Sequence, residues 1–199
     1  EYIAVIFDAG RKTFRNDIYA DYKANRSEPP EELIPQFDLV RQATKALNLP
    51  LCEIPGYEAD DVIATFAEAA CNQGQDCLIV SSDKDLMQLV NEHVKLLDPI
   101  KNIIIGDDEV QQKFGVLPNR VVDVQALAGD SSDNVPGVPG IGIKTAAELI
   151  NQYGNLEQLL ANANNIKQPK RRETLVKFAD QARISEQLVQ LRTDVPVDM

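Results

Sequence analysis

The sequence predicts an α/β fold in which a parallel, helix-covered sheet is followed by a smaller all-helical region. Three observations carry that expectation. Short apolar runs bounded by turn residues alternate with amphipathic stretches over the first half of the chain. Strand–helix–strand alternation favours parallel pairing with helical crossovers. Beyond residue 107 the strand-like runs stop and helical periodicity takes over.

Strand-like runs fall at residues 2–7, 51–54 and 77–81, with a weaker pair at 94–97 and 103–105. A helix over 31–47 follows the breaker Pro29-Pro30. Over 59–72, Val62, Ile63, Phe66, Ala67 and Ala70 share one stripe, and Gly74 lies just beyond the end. A short helix is expected at 84–90. Further helices are expected at 109–114, 119–128, 144–153, 156–161 and 171–182. The division between core and helical region is placed between residues 112 and 113, giving units 1–112 and 113–199.

Composition narrows the chemistry. The 199 residues are 44% hydrophobic and 26% charged, ordinary for a globular chain. No apolar run approaches the roughly 18–20 residues of a membrane span, so no membrane partner is expected. Cys52, Cys71 and Cys77 form no C-x-x-C pair, and His93 is the single histidine. Acid–base or metal chemistry must therefore rest on carboxylates. The chain opens inside a strand-like run without an initiator Met, which predicts a missing upstream stretch.

A net charge of −11 argues by its sum against nucleic acid as a partner. Its distribution argues otherwise. Arg11, Lys12, Arg15, Lys23 and Arg26 face only Asp17 and Asp21 within 11–26, and Lys167, Lys170, Arg171, Arg172 and Lys177 face only Glu173 within 167–177. Such stretches are either solvated faces or phosphate-contacting patches.

The acidic residues are placed with more purpose. Asp8 ends the first strand; Glu58, Asp60 and Asp61 open the helix after the second; Asp83 and Asp85 follow the third; Asp130 and Asp133 share the loop Gly129-Asp130-Ser131-Ser132-Asp133-Asn134. Singly, each has a structural explanation as a helix-dipole partner, an N-cap or a turn former. Jointly, three of these groups fall at carboxyl ends of expected parallel strands, where open α/β sheets bind ligands. Clustered carboxylates repel one another unless cations neutralise them, and oxygen-only ligation selects hard ions such as Mg²⁺ or Mn²⁺. Two such ions roughly 4 Å apart form a device for phosphodiester cleavage.

Val138-Pro139-Gly140-Ile141-Gly142-Ile143-Lys144-Thr145-Ala146 fits a helix–hairpin–helix. Its glycines permit a tight turn, its N–H groups and helix start face a phosphate, and Lys144 adds charge. Such a hairpin holds the DNA backbone without reading bases.

Taken in order, Val5-Ile6-Phe7-Asp8, Tyr57-Glu58-Ala59-Asp60-Asp61, Ser81-Ser82-Asp83-Lys84-Asp85, Gly129–Asn134 and the glycine hairpin resemble the 5′→3′ exonuclease (flap endonuclease) domain of bacterial DNA polymerase I over essentially the whole chain. The resemblance implies a PIN-like core with a helical arch, then a SAM-fold-like helical region carrying the hairpin. It implies a first metal site at Asp8, Glu58 and Asp60 with Asp61 beside it. A second is implied at Asp83, Asp85 and Asp130 with Asp133 close by, Asp60 being placed to bridge. Tyr22-Lys23-Ala24-Asn25-Arg26 matches the basic arch motif. Lys23 and Arg26 would contact the scissile phosphate as catalytic groups, and Tyr22 would stack on a base. Arg11 and Arg15 would add DNA contacts. Gly140, Gly142, Lys144 and Thr145 would grip the duplex, with K⁺ at the hairpin.

The implied enzyme is a monomeric, cytoplasmic, nucleoid-associated bacterial nuclease acting on 5′ flaps and on nicked or branched DNA in replication and repair. Its parent chain would carry a polymerase domain. The family's first-strand Asp has no counterpart here. The alternative is therefore a catalytically impaired DNA-binding fragment. A phosphatase-like reading of Asp8 needs a second acid where Gly10 stands, and a PIN-like ribonuclease would lack a use for the hairpin.

Overall fold

The structure is a computed structural model that describes residues 2–197. The first half runs β1 (Val5–Ile6), α1 (Arg15–Ile18), α2 (Ile34–Ala46), β2 (Leu51–Cys52), α3 (Ala59–Asn72), β3 (Cys77–Val80), a 3-10 turn (Asp85–Leu89), β4 (Val94–Asp98) and β5 (Ile103–Ile105). The second half is helical: α4 (Asp107–Phe114), α5 (Val121–Ala128), α6 (Ile143–Tyr153), α7 (Leu156–Ala161), α8 (Pro169–Lys177) and α9 (Ala179–Val189). The expected order of an α/β core followed by helices is observed.

Several local expectations change. Among the described residues the strands form two sheets, β1–β2 and β3–β4–β5. Parallel pairing holds for Val5 opposite Leu51 and Cys77 opposite Val94. However, β5 is antiparallel to β4, with Leu96 opposite Ile105. The connector is too short for a parallel crossover, which needs a dozen or more residues. It turns instead through Asn102 at φ 52°. The expected helix at 84–90 is a 3-10 turn, because the Asp83 carboxylate takes the Asp85 N–H at 2.9 Å and tightens the chain there. The expected 171–182 helix breaks at Phe178 into α8 and α9.

The fold is centred on α5, whose Val121, Val124, Ala126 and Leu127 are fully buried. A helix apolar on so many sides must be covered all round, and α6 and α9 lie against it. The same apolar cluster runs from Ala64, Val94 and Leu96 to Leu156, Leu159 and Leu175, so sheet and helices share one core. Each fully buried Leu contributes roughly 1.5–3 kcal/mol. This anchoring matters for function, because α5 leads directly into the Asp130–Asn134 loop and then the glycine hairpin. A smaller cluster of Tyr22, Val135, Leu188 and Val189 seats the turn after α1. No described helix is long and apolar enough to cross a membrane.

Candidate functional site

Glu58 precedes α3 and Asp60 lies in its first turn; Asp85 opens the 3-10 turn; Asp130 and Asp133 come from the loop after α5. Side chains of all five line one small cavity together with Arg15 and Tyr22. Asp83 is near enough to act on Asp60 by charge. Asp8 does not line the cavity: it is exposed, and its Oδ1 accepts the Ala59 N–H at the start of α3 at 2.8 Å.

Two glycines shape the loop that carries Asp130 and Asp133. Its base is closed by Asp130 and Val135, which exchange backbone bonds of 3.0 and 2.7 Å. Gly129 sits at φ 69°, and a Cβ there would meet the Val135 carbonyl oxygen at 2.6 Å. Gly137, at φ 58°, closes the other side of the same crossing. Only glycine fits backbone this close, so Gly129 and Gly137 clamp the loop over the cavity.

Basic side chains neutralise most of the cluster. Lys84 donates to Asp130, and Lys23 Nζ lies 2.7 Å from Glu58 and 3.5 Å from Asp133. Arg26 reaches Asp133 at 2.5 Å. Burial pushes the Asp130 carboxyl up, but bonds from Lys84 and Ser132 outweigh it and hold the group below its ordinary range. Asp60 has no such help: among the described residues none donates a hydrogen bond to its carboxylate. Burial, then the charges of Asp83, Glu58 and Asp85, lift it to about 7. Asp85 is raised by burial and Asp83, partly offset by Lys84 and Gln125.

Three expected roles are corrected. Asp61 is fully buried and saturated. It takes both Arg15 terminal nitrogens at 2.6 and 2.8 Å, the Glu58 N–H at 3.1 Å and the Arg192 N–H at 2.9 Å. With four donors in place it has no lone pair to offer a metal, and it serves as the keystone of the α3 N-terminus. Arg15, only 1% exposed, also donates to the Leu188 and Gln190 carbonyls, so it locks α1 to α9 and cannot meet DNA. Tyr22 offers no face for base stacking. Its ring is buried, and its hydroxyl donates toward Glu58 at 3.2 Å and Asp133 at 3.4 Å.

The basic stretch 11–26 is laid onto the carboxylate loop. The Lys23 N–H bonds the Asp133 carbonyl at 2.9 Å, and Asn25 reaches the Ser131 carbonyl at 2.7 Å. Lys23 itself is held at φ 55°, a left-handed conformation costly for a side-chain-bearing residue. Lys23 and Arg26 thus stand at the mouth of the cavity. Arg11 is exposed and pairs with Glu28 at 2.5 Å.

The glycine hairpin lies between α5 and α6. The Val138 N–H bonds the Leu127 carbonyl at 2.7 Å, and Ala146 is fully buried. Gly140, Gly142 and Lys144 are exposed, and Thr145 is half-buried. Gly140 needs its φ of 77°, but Gly142 has ordinary backbone, and nothing lies within 4 Å of a Cβ added to either. Internal packing therefore does not explain glycine at 142; close approach by an outside group would.

Among the described residues, no three carboxylates already stand together as an ion-gripping set. The donor chemistry nevertheless fits hard divalent cations. Every candidate ligand is oxygen, Asp60 is offset only by the more distant charge of Lys23, and the Gln125 Oε1 is buried without a partner.

Two residues of this neighbourhood escape sequence reading. Lys84 resembles any surface lysine until its contact with Asp130 is seen. Gln125 lies on buried α5, 3% exposed, and its Nε2 donates to Asp85 Oδ1 at 2.6 Å. The only sequence signal is a Gln, two residues after Asp123, inside a largely apolar helix run. Gln125→Leu should keep the melting temperature near wild type, since the orphan oxygen leaves with the amide. Loss of the hydrogen bond that aims Asp85 should lower divalent-ion affinity or ion-dependent activity roughly 10–100-fold. Thermal melts beside ion titrations check both, and unchanged titrations would remove Gln125 from the site.

A family model for the 5′–3′ exonuclease N-terminal resolvase-like domain matches residues 1–115, and one for the 5′–3′ exonuclease C-terminal SAM fold matches residues 116–199. DNA polymerase I of Rhizobium leguminosarum is 59% identical over 198 residues, covering 100% of this chain and 20% of that protein. The chain thus spans about a fifth of the polymerase relatives it matches. The 5′–3′ exonuclease of Buchnera aphidicola is 39% identical over 203 residues, covering 99% of this chain and 71% of that protein. Among solved structures, the zinc-bound T5 5′-exonuclease superimposes with a TM-score of 0.87 at 24% identity, covering 97% of this chain and 75% of that one. A T5 flap endonuclease pseudo-enzyme–product complex with DNA and metal ions gives 0.84 at 22% identity, with 95% and 74% coverage. At these identities the structural likeness speaks for the fold.

Proposed function

Because the chain belongs to the 5′–3′ exonuclease family, we propose that it is a divalent-metal-dependent 5′ nuclease that hydrolyses DNA phosphodiester bonds at 5′ flaps, nicks and branches. The observation that carries the proposal is the convergence of Glu58, Asp60, Asp85, Asp130 and Asp133 on one cavity with Lys23 and Arg26 at its mouth. Mg²⁺ or Mn²⁺ held there would supply an activated water and neutralise charge on the phosphate. Asp83, Asp85 and Asp130 would hold one ion, and Glu58 and Asp60, with Asp8 beside the start of α3, would hold the other.

The chain's own residues supply the rest. Gly129 and Gly137 fix the loop that presents Asp130 and Asp133. Gln125 aims Asp85. Lys23 and Arg26, released from Glu58 and Asp133, can take phosphate oxygens and offset charge that builds in the transition state. The open backbone at Gly140 and Gly142, with Lys144 and Thr145, suits a duplex phosphate, and K⁺ held at the hairpin would add positive charge there. In the polymerase-length relatives this unit would act beside a polymerase domain. The chain itself is proposed to act as a monomer.

The test is a 5′-labelled flap duplex incubated with the chain in Mg²⁺ or Mn²⁺. Ion-dependent cleavage near the junction, abolished by Asp83→Asn, is expected. Gly142→Ala should weaken duplex binding with only a small drop in melting temperature, since its Cβ meets no internal atom and the cost is that of a poorer N-cap. Binding without cleavage in the wild type would select the binding-module reading, and a folded chain that did neither would end the proposal.

A further inference from the structure

We propose that Lys84 is the internal counter-ion of the second carboxylate group, holding the ground between Asp85 and Asp130 that a divalent cation would occupy, so that the ion binds by displacing it. The inference rests on the two-ion reading above.

The geometry is specific. The Lys84 ammonium donates to Asp130 Oδ2 and lies 4.0 Å from Asp85 Oδ1. Asp83, its neighbour in sequence, adds a third negative charge near the ammonium. These are the same three carboxylates assigned to one ion. An ordinary surface pair would leave both partners in water, but the Asp130 side chain is only 7% exposed. Nor is the carboxylate free to turn away: Ser132 donates backbone and side-chain bonds to its other oxygen at 2.8 and 2.5 Å. Gln125 donates to the same Asp85 Oδ1 at 2.6 Å and holds it in place.

The chemistry explains why a lysine suits this place. Several carboxylates facing one another without a cation repel. An ammonium on a flexible stem supplies one charge and three donors, enough to keep the group assembled. A divalent cation supplies twice the charge and accepts more oxygen ligands, so it prevails when present. The stem of Lys84 lets the ammonium leave without moving the backbone at the end of β3. Asp60, which lacks any such partner, marks the contrast within one cavity. The consequence is a site kept assembled without its ion, at the cost of weaker affinity for that ion.

The test is a Mn²⁺ titration of the whole chain, followed calorimetrically, for wild type, Lys84→Gln, Lys84→Arg and Lys177→Gln. Lys177 lies on α8 and controls for loss of one positive charge. Lys84→Gln should lower the melting temperature in chelator, yet tighten one of two Mn²⁺ binding steps by on the order of tenfold, since a charge-assisted bond no longer competes. Lys84→Arg and Lys177→Gln should titrate like wild type. Wild type that binds two ions while Lys84→Gln binds them equally or more weakly overturns the inference alone. Wild type that takes up no Mn²⁺ overturns the two-ion reading and this inference with it. Should Lys84→Gln fail to fold, amine labelling of the wild type read by mass spectrometry decides. Lys84 should be modified faster with Mn²⁺ than in chelator, and equal rates refute displacement.

Discussion

Replacing Asp60 with Asn is expected to raise the melting temperature of the metal-free protein above neutral pH while abolishing ion-dependent cleavage. Both effects have one cause. Burial and the charges of Asp83, Glu58 and Asp85 lift the Asp60 carboxyl to about 7 against a smaller opposing pull from Lys23, and among the described residues no cation pairs with it. An acid whose folded pKa is raised gives its full stability below its unfolded value, near 3.8, and loses it as pH climbs through the folded value. In chelator at about pH 8 the wild type therefore carries a poorly compensated charge, and Asn removes it for a gain on the order of 1–3 kcal/mol. Below about pH 3 the carboxyl is mostly protonated in both states and the gain should largely vanish. The same substitution removes the carboxylate best placed between the two ligand groups, so cleavage should fall by at least about a hundredfold. Melts in chelator at both pH values, beside flap cleavage at saturating Mg²⁺, read out each part. A variant that is less stable at the higher pH would show that Asp60 is already satisfied.

Arg15→Met should be the most damaging substitution away from the cavity. It leaves Asp61, fully buried, without its bidentate partner. Breaking a buried ion pair by removing one side costs roughly 3–5 kcal/mol, which for a chain of this size lowers the melting temperature by about 6–20 °C. Function should follow, because Asp61 also holds the Glu58 N–H at the start of α3, and Glu58 belongs to the cavity. Adding Asp61→Leu should restore only part of the loss. It removes the stranded charge but orphans the Glu58 and Arg192 N–H groups that Asp61 satisfies. A double variant as stable as wild type would mean that those capping bonds contribute little, and a single variant of unchanged stability would mean that Arg15 is not locked as described.

What the sequence could tell followed from local pattern. Strand runs ending in Asp8, Asp83 and the Glu58 turn predicted one acidic edge, because a parallel sheet aligns its carboxyl ends. The glycine hairpin was legible because its spacing encodes backbone geometry directly. Other features depend on partners far along the chain. Arg15 reads as one more cation in a basic stretch, and only its meeting with Asp61, 46 residues on, turns it into interior structure. Tyr22 reads as an exposed aromatic among charges, yet Val135, Leu188 and Val189 bury it. The direction of β5 was readable in principle, since its short connector excludes a crossover. Lys84 lies inside the Ser81–Asp85 motif without its role being legible there, and Gln125 belongs to no motif; both roles come from the oxygen atoms they touch.

The most direct test of the two-ion centre is anomalous scattering from a Mn²⁺-soaked crystal of the chain. Two peaks are predicted, one against Glu58 and Asp60 and one against Asp83, Asp85 and Asp130, with Lys84 turned away from Asp130. A folded protein with Mn²⁺ at neither place, or with Lys84 still on Asp130 beside a fully bound ion, would contradict the assignment of this cavity as the nuclease centre or the displacement that fills it.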